Sequence, residues 1–367
     1  MKKFLDIIFL RSNNLSYISE NIKDLTKKTS ANKIFQAINS FTSESEIRYV
    51  GGCIRKIINK EKVDDIDLAT NLVPEQVCEA LKKENISYYK TGIEHGTITA
   101  EINGEKFEIT SLRQDVFTDG RHAKVKFSTN WKDDSLRRDF TINSIYSDGD
   151  GNLFDPHNGK KDLEDGLVNF IGDADQRIKE DYLRILRYLR FFINYSKNPH
   201  DTEIIKKLKM NIDGVSKLSK ERLLDELKKI IQLSTIERLS KDKISLELFS
   251  IIFPELKDIK IFSNLDRSKK MLLQNEDFIF FLSLMIIDDT DNTDYFLYKF
   301  NFILPLLIIP LFGSTQVILP FLLVLSKKSL PISPVPHATS NNFLFMEGFI
   351  MSIKLFFQNL CTPSDIK

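Results

Sequence analysis

Two carboxylates lie one residue apart in the segment YVGGCIRKIINKEKVDDIDLAT, residues 49–70. In a strand over residues 63–69, Asp65 and Asp67 would point to one face, and Ile66 and Leu68 to the other. Paired carboxylates bind hard cations such as Mg²⁺, which also takes phosphate oxygens. A solvated strand edge is the alternative interpretation of this pattern.

Two glycines precede the carboxylates in the same segment. Gly51 and Gly52 follow an apolar pair and precede isoleucines at helical spacing, which predicts a strand, a glycine turn and a helix N-terminus. Backbone N–H groups at such a turn bind phosphate, and Arg55 adds a fixed positive charge. An ordinary turn is the alternative for the glycines alone. The order and spacing of both motifs favour a site for Mg²⁺ and phosphate.

A third acid lies on a predicted β-hairpin. Residues 97–102 and 105–110 flank Asn103-Gly104, the dipeptide typical of two-residue hairpin turns. Glu108 alternates with Phe107 and Ile109, so its side chain points away from the core. It either completes a carboxylate triad with the two aspartates or is a solvated residue on the outer face.

Arginines follow in two polar segments. Residues 113–130 are predicted to be a mobile loop, from which Arg113 reaches a triphosphate or an RNA backbone. Further on, Arg137 and Arg138 lie between Asp134 and Asp139. These four residues either form ion pairs on a helix surface or, with Asn143, hold a ribose and a phosphate.

The segment EDYLRILRYLRFF, residues 180–192, predicts one amphipathic helix with a buried leucine face. A polar stripe along it begins at Asp181 and continues through Arg184, Arg187 and Arg190. Asp181 only accepts hydrogen bonds and Arg184 only donates them, so together they present both types of group. A solvated charged face with a Glu180–Arg184 ion pair is the alternative.

Composition limits the class of protein. The chain has 367 residues, 42% of them apolar and 28% charged, which allows two or three folded domains. Three cysteines without a CxxC pair fit a reduced, cytoplasmic protein without structural zinc. The apolar run near the N-terminus is interrupted by Asp6 and Arg11, so we predict no signal peptide.

The C-terminal stretch differs in composition from the rest. Residues 301–326 contain no charged side chain, and three prolines interrupt them. The length permits a membrane span. The prolines favour a non-membrane segment, and the sequence leaves open whether the tail is folded, frameshifted or associated with a membrane.

Taken in order, the motifs GGCIRK, DDIDLAT, FEITSLRQD, LRRDFTINSIY and EDYLRILRYLRF resemble those of class II tRNA nucleotidyltransferases, the CCA-adding enzymes, and of the related bacterial poly(A) polymerases. We expect Glu108 to support the metals or the attacking hydroxyl, and the resemblance implies that Asp65 and Asp67 bind catalytic Mg²⁺. It also implies tRNA, ATP and CTP as partners. The residues that it places at the nucleotide are Gly51, Gly52, Arg55, Arg137, Arg138, Asp139, Asn143, Asp181 and Arg184, with Arg187 and Arg190 nearby. Lys56 departs from the family, which usually has Asp there; a lysine near a helix N-terminus is expected to oppose the helix dipole.

The expected fold is α+β: a nucleotidyltransferase-type head with a mixed or antiparallel sheet, then a helical neck and body. The expected boundaries are 1–165 for the head, 166–235 for the neck, 236–300 for the body and 301–367 for the tail. CCA addition to tRNA is the expected function. Poly(A) polymerase activity and a decayed, non-catalytic RNA-binding remnant are the alternatives.

Overall fold

The computed structural model describes residues 16–118 and 123–286. Its strands are β1 Ile47–Val50, β2 Asp67–Thr70, β3 Ser87–Gly92, β4 Thr97–Ile102, β5 Glu105–Ser111, β6 Arg113–Thr118, β7 Ala123–Phe127, β8 Tyr146–Ser147 and β9 Leu153–Phe154. The apolar tail and the N-terminal apolar run, about which predictions were made from composition, lie outside the described residues.

The described helices divide into two groups along the chain. Those among or beside the strands are α1 (residues 16–28), α2 Ala31–Asn39, α3 Gly52–Ile58, α4 Pro74–Lys83, α5 Trp131–Leu136 and α6 Gly159–Asp165. Those that follow are α7 Ala174–Glu180, α8 Leu183–Tyr195, α9 Thr202–Asn211, α10 Lys220–Ile230, α11 Leu233–Lys241, α12 Lys243–Ile252, α13 Arg267–Leu273 and α14 Phe278–Ile286.

The larger sheet has the strand order β3-β4-β5-β2-β1-β8-β9. Strands β2 and β5 pair in parallel, whereas the other neighbours in this sheet are antiparallel. A mixed sheet followed by helices is the α+β architecture that the sequence predicted, and the prediction is confirmed.

The predicted hairpin is present as β4 and β5. Asn103 and Gly104 have φ of +53° and +81°, the left-handed conformation that a type I′ turn requires at both positions. Phe107 and Ile109 are buried, and Glu108 between them is exposed, as strand alternation predicts. This hairpin fixes the position of Glu108 beside β2.

Strand β2 is shorter than predicted, because it begins at Asp67 and not at residue 63. Tyr49 of β1 pairs with Leu68, so the same antiparallel register would place Gly51 opposite Ile66. The chain turns into α3 at Gly51, and residues before Asp67 therefore lose their partner in β1. Asp65 lies in irregular backbone and not on a strand.

The prediction of a loop over residues 113–130 was wrong for most of that segment. Strands β6 and β7 form an antiparallel pair, with Arg113 opposite Phe127 and Thr118 opposite Ala123. The alternation Lys124-Val125-Lys126-Phe127 is a strand pattern that the polar composition obscured. Residues 119–122, between the two strands, lie outside the described part.

The described chain forms two compact units. The first contains its residues up to Leu218 together with Glu247–Ile252, and the second contains Ser219–Leu246 and the residues from Phe253 onward. In the first unit, a cluster of aromatic rings joins the sheet region to α8: Phe140 lies 4.7 Å from Phe170 and 5.4 Å from Phe191 between ring centroids. Within the described residues, no helix has the length and apolar character that a membrane crossing needs.

Candidate functional site

The acidic residues predicted from sequence meet at the start of β2. Asp67 is directly opposite Glu108 in the parallel ladder between β2 and β5. Neighbouring strands lie about 4.8 Å apart, so these two carboxylates are side by side. Asp65 is exposed and lies two residues before Asp67. The structure therefore places Glu108 beside Asp67 and Asp65 near them, and their action as a triad stays a prediction.

The electrostatics of Asp67 reflect this crowding. Burial raises the pKa of the Asp67 carboxyl, and the negative charges of Asp65 and Glu108 raise it further, to about 6. The positive charges of Arg138 and Arg55 act in the opposite direction. Two like charges next to a half-buried carboxylate are unfavourable in the protein alone, and a bound cation would relieve them.

The glycine turn faces the segment that carries Arg137 and Arg138. Gly51 has φ +70° and precedes α3, a conformation that favours glycine. A Cβ at Gly51 would lie 3.5 Å from the carbonyl oxygen of Asn143 and 3.7 Å from Nη1 of Arg138. The turn and the segment from Arg137 to Asn143 therefore lie against one another.

Lys56 does not lie where the sequence analysis expected. It is in the last turn of the short helix α3, where a positive charge is favourable to the helix dipole. Its ammonium group pairs with Asp64, which lowers the pKa of that carboxyl. The predicted conflict with the dipole was wrong, because α3 ends at Ile58.

Arg55 is buried, with 7% of its surface exposed. Its Nη1 donates to Oδ1 of Asn143, and its guanidinium lies 4.8 Å from the ring centroid of Phe191 and 5.1 Å from that of Tyr195. Nη2 lies against Gly52. Arg55 thus connects α3 to α8, and its contact with a phosphate stays a prediction.

Arg137 and Arg138 are held by one buried acid. Asp134 is fully buried, and it accepts hydrogen bonds from Arg137 Nε at 2.7 Å, Arg138 Nη2 at 3.2 Å and the Tyr146 hydroxyl at 2.7 Å. Burial would raise the pKa of Asp134, but the arginine charges and the Tyr146 hydroxyl more than offset burial and bring the pKa to about 2. The ion pairs considered for this segment are therefore formed on a buried carboxylate and not on a helix surface.

Asp139 and Asn143 bond to one another and to two arginines. Asp139 accepts from Arg187 Nε at 2.6 Å, from Asn143 Nδ2 at 2.9 Å and from the Phe140 amide at 2.8 Å. Burial acts to raise the pKa of Asp139, yet Arg187 and these hydrogen bonds lower it to about 2. Together with Arg55, these residues form a polar chain between α3 and α8.

The single helix predicted over residues 180–192 is interrupted. Helix α7 ends at Glu180, Asp181 is extended with φ −155° and ψ 105°, and α8 begins at Leu183. Oδ1 of Asp181 accepts from the Leu183 amide at 3.1 Å, so the aspartate side chain competes with helical backbone bonding. Asp181 consequently lies at the junction of two helices and not on a helical stripe with Arg184.

Three further arginines were predicted to contact the nucleotide: Arg184, Arg190 and Arg113. Arg184 donates to Glu180 at 2.7 Å, the ion pair of the alternative interpretation. The Arg190 guanidinium lies 4.2 Å from the Phe191 ring centroid. Arg113 lies at the start of β6, where its backbone amide donates to Oδ1 of Asp134 at 3.4 Å and its guanidinium donates to the carbonyl oxygen of His95.

Sequence reasoning missed two residues that organise the site. Asp134 was noted as a flanking acid, but nothing in its surroundings indicated full burial. Arg177 was not singled out, although its spacing from Glu180 and Arg184 is three and seven residues, which places all three on one helical face. The helix break at Asp181 lies within that spacing.

Comparison with known proteins identifies two parts of the chain. Residues 47–169 match the family model described as "Poly A polymerase head domain", and residues 201–260 match "Probable RNA and SrmB- binding site of polymerase A". Over 235 residues, the chain is 43% identical to a human protein named CCA tRNA nucleotidyltransferase 1, mitochondrial, covering 63% of this chain and 51% of that one. A CCA-adding enzyme from Oceanobacillus iheyensis is 35% identical over 202 residues, 54% of this chain and 49% of that one. The chain spans about half the length of these relatives.

Solved structures agree on the fold. A CCA-adding enzyme in complex with ATP has a TM-score of 0.58 at 20% identity, covering 90% of this chain and 85% of its own. The Bacillus stearothermophilus CCA-adding enzyme in complex with CTP has a TM-score of 0.51 at 22% identity, covering 63% and 58%. Residues 47–169 and 201–260 are therefore similar to parts of poly(A) polymerases, and this region, with its acids on a mixed sheet and its helices after it, shares the fold of the solved CCA-adding enzymes.

Proposed function

We propose that this protein is a CCA-adding tRNA nucleotidyltransferase, which adds C, C and A to the 3′ end of tRNA from CTP and ATP. The observation that carries the proposal is the convergence of Asp65, Asp67 and Glu108 at the start of β2, near Arg55 and Arg138. The names of the relatives that share this region give the choice of substrate.

The acids fit a magnesium site completed by substrate. No group of three or more His, Cys, Asp or Glu residues in the described ranges forms a ready-made metal site. Mg²⁺ usually binds through one or two carboxylates together with substrate phosphates, so the pair Asp65 and Asp67 is sufficient. When bound, Mg²⁺ would favour the ionised attacking hydroxyl and stabilise the negative charge on the phosphates.

The residues of the chain would then position two reactants. The 3′-hydroxyl oxygen of the RNA forms a bond to the α-phosphorus of the nucleotide, the bond to pyrophosphate breaks, and the hydroxyl proton leaves. Glu108, exposed beside Asp67, is placed to accept a hydrogen bond from that hydroxyl. Arg137 and Arg138, whose side chains are 16% and 17% exposed, present positive charge that does not need to reorganise, because Asp134 fixes both.

Nucleotide choice is assigned to Asp181 and Arg184. Cytosine and adenine each offer an amino donor next to a ring-nitrogen acceptor, which suits a carboxylate acceptor beside a guanidinium donor. Uracil and guanine place a carbonyl oxygen where the amino group would be, and unpaired polar groups in such a site reject the wrong base. In this proposal Asp181 at the α7–α8 junction and Arg184 in the first turn of α8 face the base.

One assay tests the function. The protein is incubated with Mg²⁺, CTP, ATP and a tRNA that lacks its last three nucleotides, and the products are sized. Extension by three nucleotides that depends on both CTP and ATP, and that chelation of Mg²⁺ with EDTA abolishes, is expected. Glu75→Gln, which changes an exposed acid on α4, serves as the control and should extend normally.

Poly(A) polymerase activity is the second candidate, since both matching family models are described by that enzyme. A long ladder of A without a requirement for CTP in the same assay would favour it. No extension at all would favour the non-catalytic RNA-binding alternative.

Domain boundaries and location belong to the proposal as well. We assign residues 1–165 to the head, 166–235 to the neck, 236–300 to the body and 301–367 to the tail, and we place the protein in the cytoplasm. Limited proteolysis of the purified protein, followed by mass spectrometry of the fragments, would test the boundaries.

A further inference from the structure

Arg177 of α7 makes contacts in three directions from a side chain that is 11% exposed. Its Nη2 donates to the carbonyl oxygen of Arg137 at 2.6 Å and to that of Arg138 at 2.7 Å. Its Nη1 donates to Oε2 of Glu180. One guanidinium therefore joins the backbone after α5 to a carboxylate at the end of α7.

The Glu180 carboxylate is shared with Arg184. Nη1 of Arg184 donates to the same Oε2 at 2.7 Å and to the carbonyl oxygen of Arg177 at 2.6 Å. Arg184 is thus linked to the backbone of Arg137 and Arg138 by two hydrogen-bonded groups, Glu180 and Arg177. The link crosses the helix break at Asp181.

The chemistry of this link requires an arginine. Carbonyl groups at the end of a helix have no partner within it, and Arg137 and Arg138 follow directly after α5. A planar guanidinium presents donors in a fixed fork, so two carbonyls and a carboxylate can be bound at once. A lysine ammonium is a compact group on a flexible stem, and it cannot span the same three acceptors in fixed geometry.

We infer that Arg177 is a positioning residue that couples the placement of Arg184, at the base, to the placement of the segment from Arg137 to Asp139, at the triphosphate. The inference rests on the proposed function, which places Arg184 at the base and the segment from Arg137 to Asp139 at the triphosphate. Arg177 itself is assigned no contact with the nucleotide. Its role is to fix the distance between the group that selects the base and the groups that orient the reacting phosphate. Misplacement by about 1 Å in an active site costs on the order of 100-fold in rate.

The test compares Arg177→Lys with Lys179→Ala. Lys179 lies on the same helix, is 58% exposed and pairs with Asp175, so its loss should leave nucleotide addition unchanged. For Arg177→Lys we expect kcat/KM for CTP on tRNA lacking CCA to fall at least about tenfold, mainly through kcat. The ratio of kcat/KM for CTP to that for UTP should fall as well, which a purely structural loss of active protein would not change.

A double variant tests the link through Glu180. If Arg177 acts through that carboxylate, Arg177→Lys combined with Glu180→Gln should show a loss close to that of the more severe single variant. A loss of kcat/KM in the double variant equal to the product of the two single-variant losses would overturn this part of the inference.

Hydrogen exchange gives a readout that does not depend on activity. The Ile171 amide donates to the carbonyl oxygen of Asp139 at 3.1 Å, so it reports on the segment that Arg177 holds. Peptides that contain Ile171 and residues 137–144 should exchange at least about tenfold faster in Arg177→Lys than in the wild type, and Lys179→Ala should match the wild type. Unchanged exchange would overturn the link, and faster exchange with an unchanged CTP-to-UTP ratio would overturn the coupling to base choice. Failure of the wild-type protein to extend tRNA would instead overturn the proposed function. Hydrogen exchange would still test whether Arg177 holds the backbone of Arg137 and Arg138.

Discussion

Asp67, a proposed metal ligand, lies in an electrostatically unfavourable environment. Burial and the charges of Asp65 and Glu108 raise the pKa of its carboxyl to about 6, whereas an aspartate in an unfolded chain has a pKa near 3.9. Above pH 6 the folded protein must therefore keep an ionised group that the unfolded chain accommodates more easily. Raised values of this kind are typical of sites that await a cation or a substrate.

Asp67→Asn should abolish nucleotide addition and also raise stability. Removing the charge deletes a proposed metal ligand, and we expect activity to fall at least about 1,000-fold. At pH 8 without Mg²⁺, the free energy of unfolding should rise by roughly 2 kcal/mol, because the repulsion within the acid cluster is relieved. Urea unfolding and the tRNA extension assay measure the two effects.

Two results would contradict this account of Asp67. A variant with wild-type turnover at saturating Mg²⁺ would remove Asp67 from the metal site. A variant destabilised by more than 1 kcal/mol would show that the carboxylate has favourable contacts in the folded protein. Glu75→Gln is again the matched change on an exposed acid.

Sequence predicted the acids better than it predicted the arginines. The strand alternation around Glu108 follows from apolar neighbours that must be buried, so its direction could be deduced. The partners of an arginine depend on which elements meet in three dimensions. Arg55 contacts Asn143 and Arg187 contacts Asp139, 88 and 48 residues away, and no local pattern contains those contacts.

At the scale of elements, the break between α7 and α8 determines where Asp181 lies. The EDYLR segment has helical periodicity on both sides, so a pattern of apolar residues does not reveal one extended residue within it. The side chain of that residue supplies the reason, since it accepts a hydrogen bond from the Leu183 amide at the start of α8, where the helix itself provides no partner.

Asp181→Ala and Asp181→Asn should separate the hydrogen bond to the Leu183 amide from base recognition. Alanine removes this hydrogen bond and should cost about 1 kcal/mol of stability, whereas asparagine keeps an acceptor and should cost less. Both variants should lose discrimination against UTP and GTP more than they slow addition of CTP, because neither retains the carboxylate. The measurements are thermal unfolding and kcat/KM for all four nucleotides. Equal losses for all four nucleotides, or full retention of C and A selectivity, would return Asp181 to a structural role.

The buried acid after β7 provides a second test at this scale. Asp134 has a folded pKa of about 2, below the value near 3.9 of an unfolded chain. Its contribution to stability is therefore fully present above pH 4 and is lost as the pH falls from 4 toward 2. Asp134→Asn should be less stable than the wild type at pH 6, and this difference should narrow by about 2 kcal/mol as the pH falls through that window.

The measurement for Asp134 is urea unfolding of both proteins at a series of pH values from 6 to 2.5. A difference that stays constant across the series would contradict the ionised, doubly paired state of Asp134. The Tyr146→Phe variant keeps the carboxylate and both arginines. It loses only the hydroxyl, which donates to Asp134 and accepts from Arg138 Nε, so it should retain most of the wild-type acid sensitivity.

At the scale of the whole molecule, sequence patterns predicted the order of the helices and strands but not the residues at which they begin and end. The mixed sheet, the hairpin and the helical region followed from periodicity and turn residues, which are local. The start of β2 depends on where its partner β1 turns away, and β6 and β7 depend on pairing across a polar connection. Both are consequences of tertiary context that a local pattern does not contain.

The position of the site along the chain predicts the effect of removing the C-terminal region. Every contact described at the candidate site joins residues between Gly51 and Tyr195, within the first compact unit. A protein ended after residue 300 should therefore retain the site, and Mg²⁺ with CTP should raise its melting temperature as in the full-length chain. Affinity for tRNA lacking CCA, measured by filter binding, should fall if the removed residues contact RNA. Loss of the CTP-dependent shift in melting temperature, with helical circular dichroism retained, would show instead that residues after 300 support the nucleotide site itself. Recovery of full-length protein in membranes after salt and carbonate washes would identify the apolar residues 301–326 as a membrane segment.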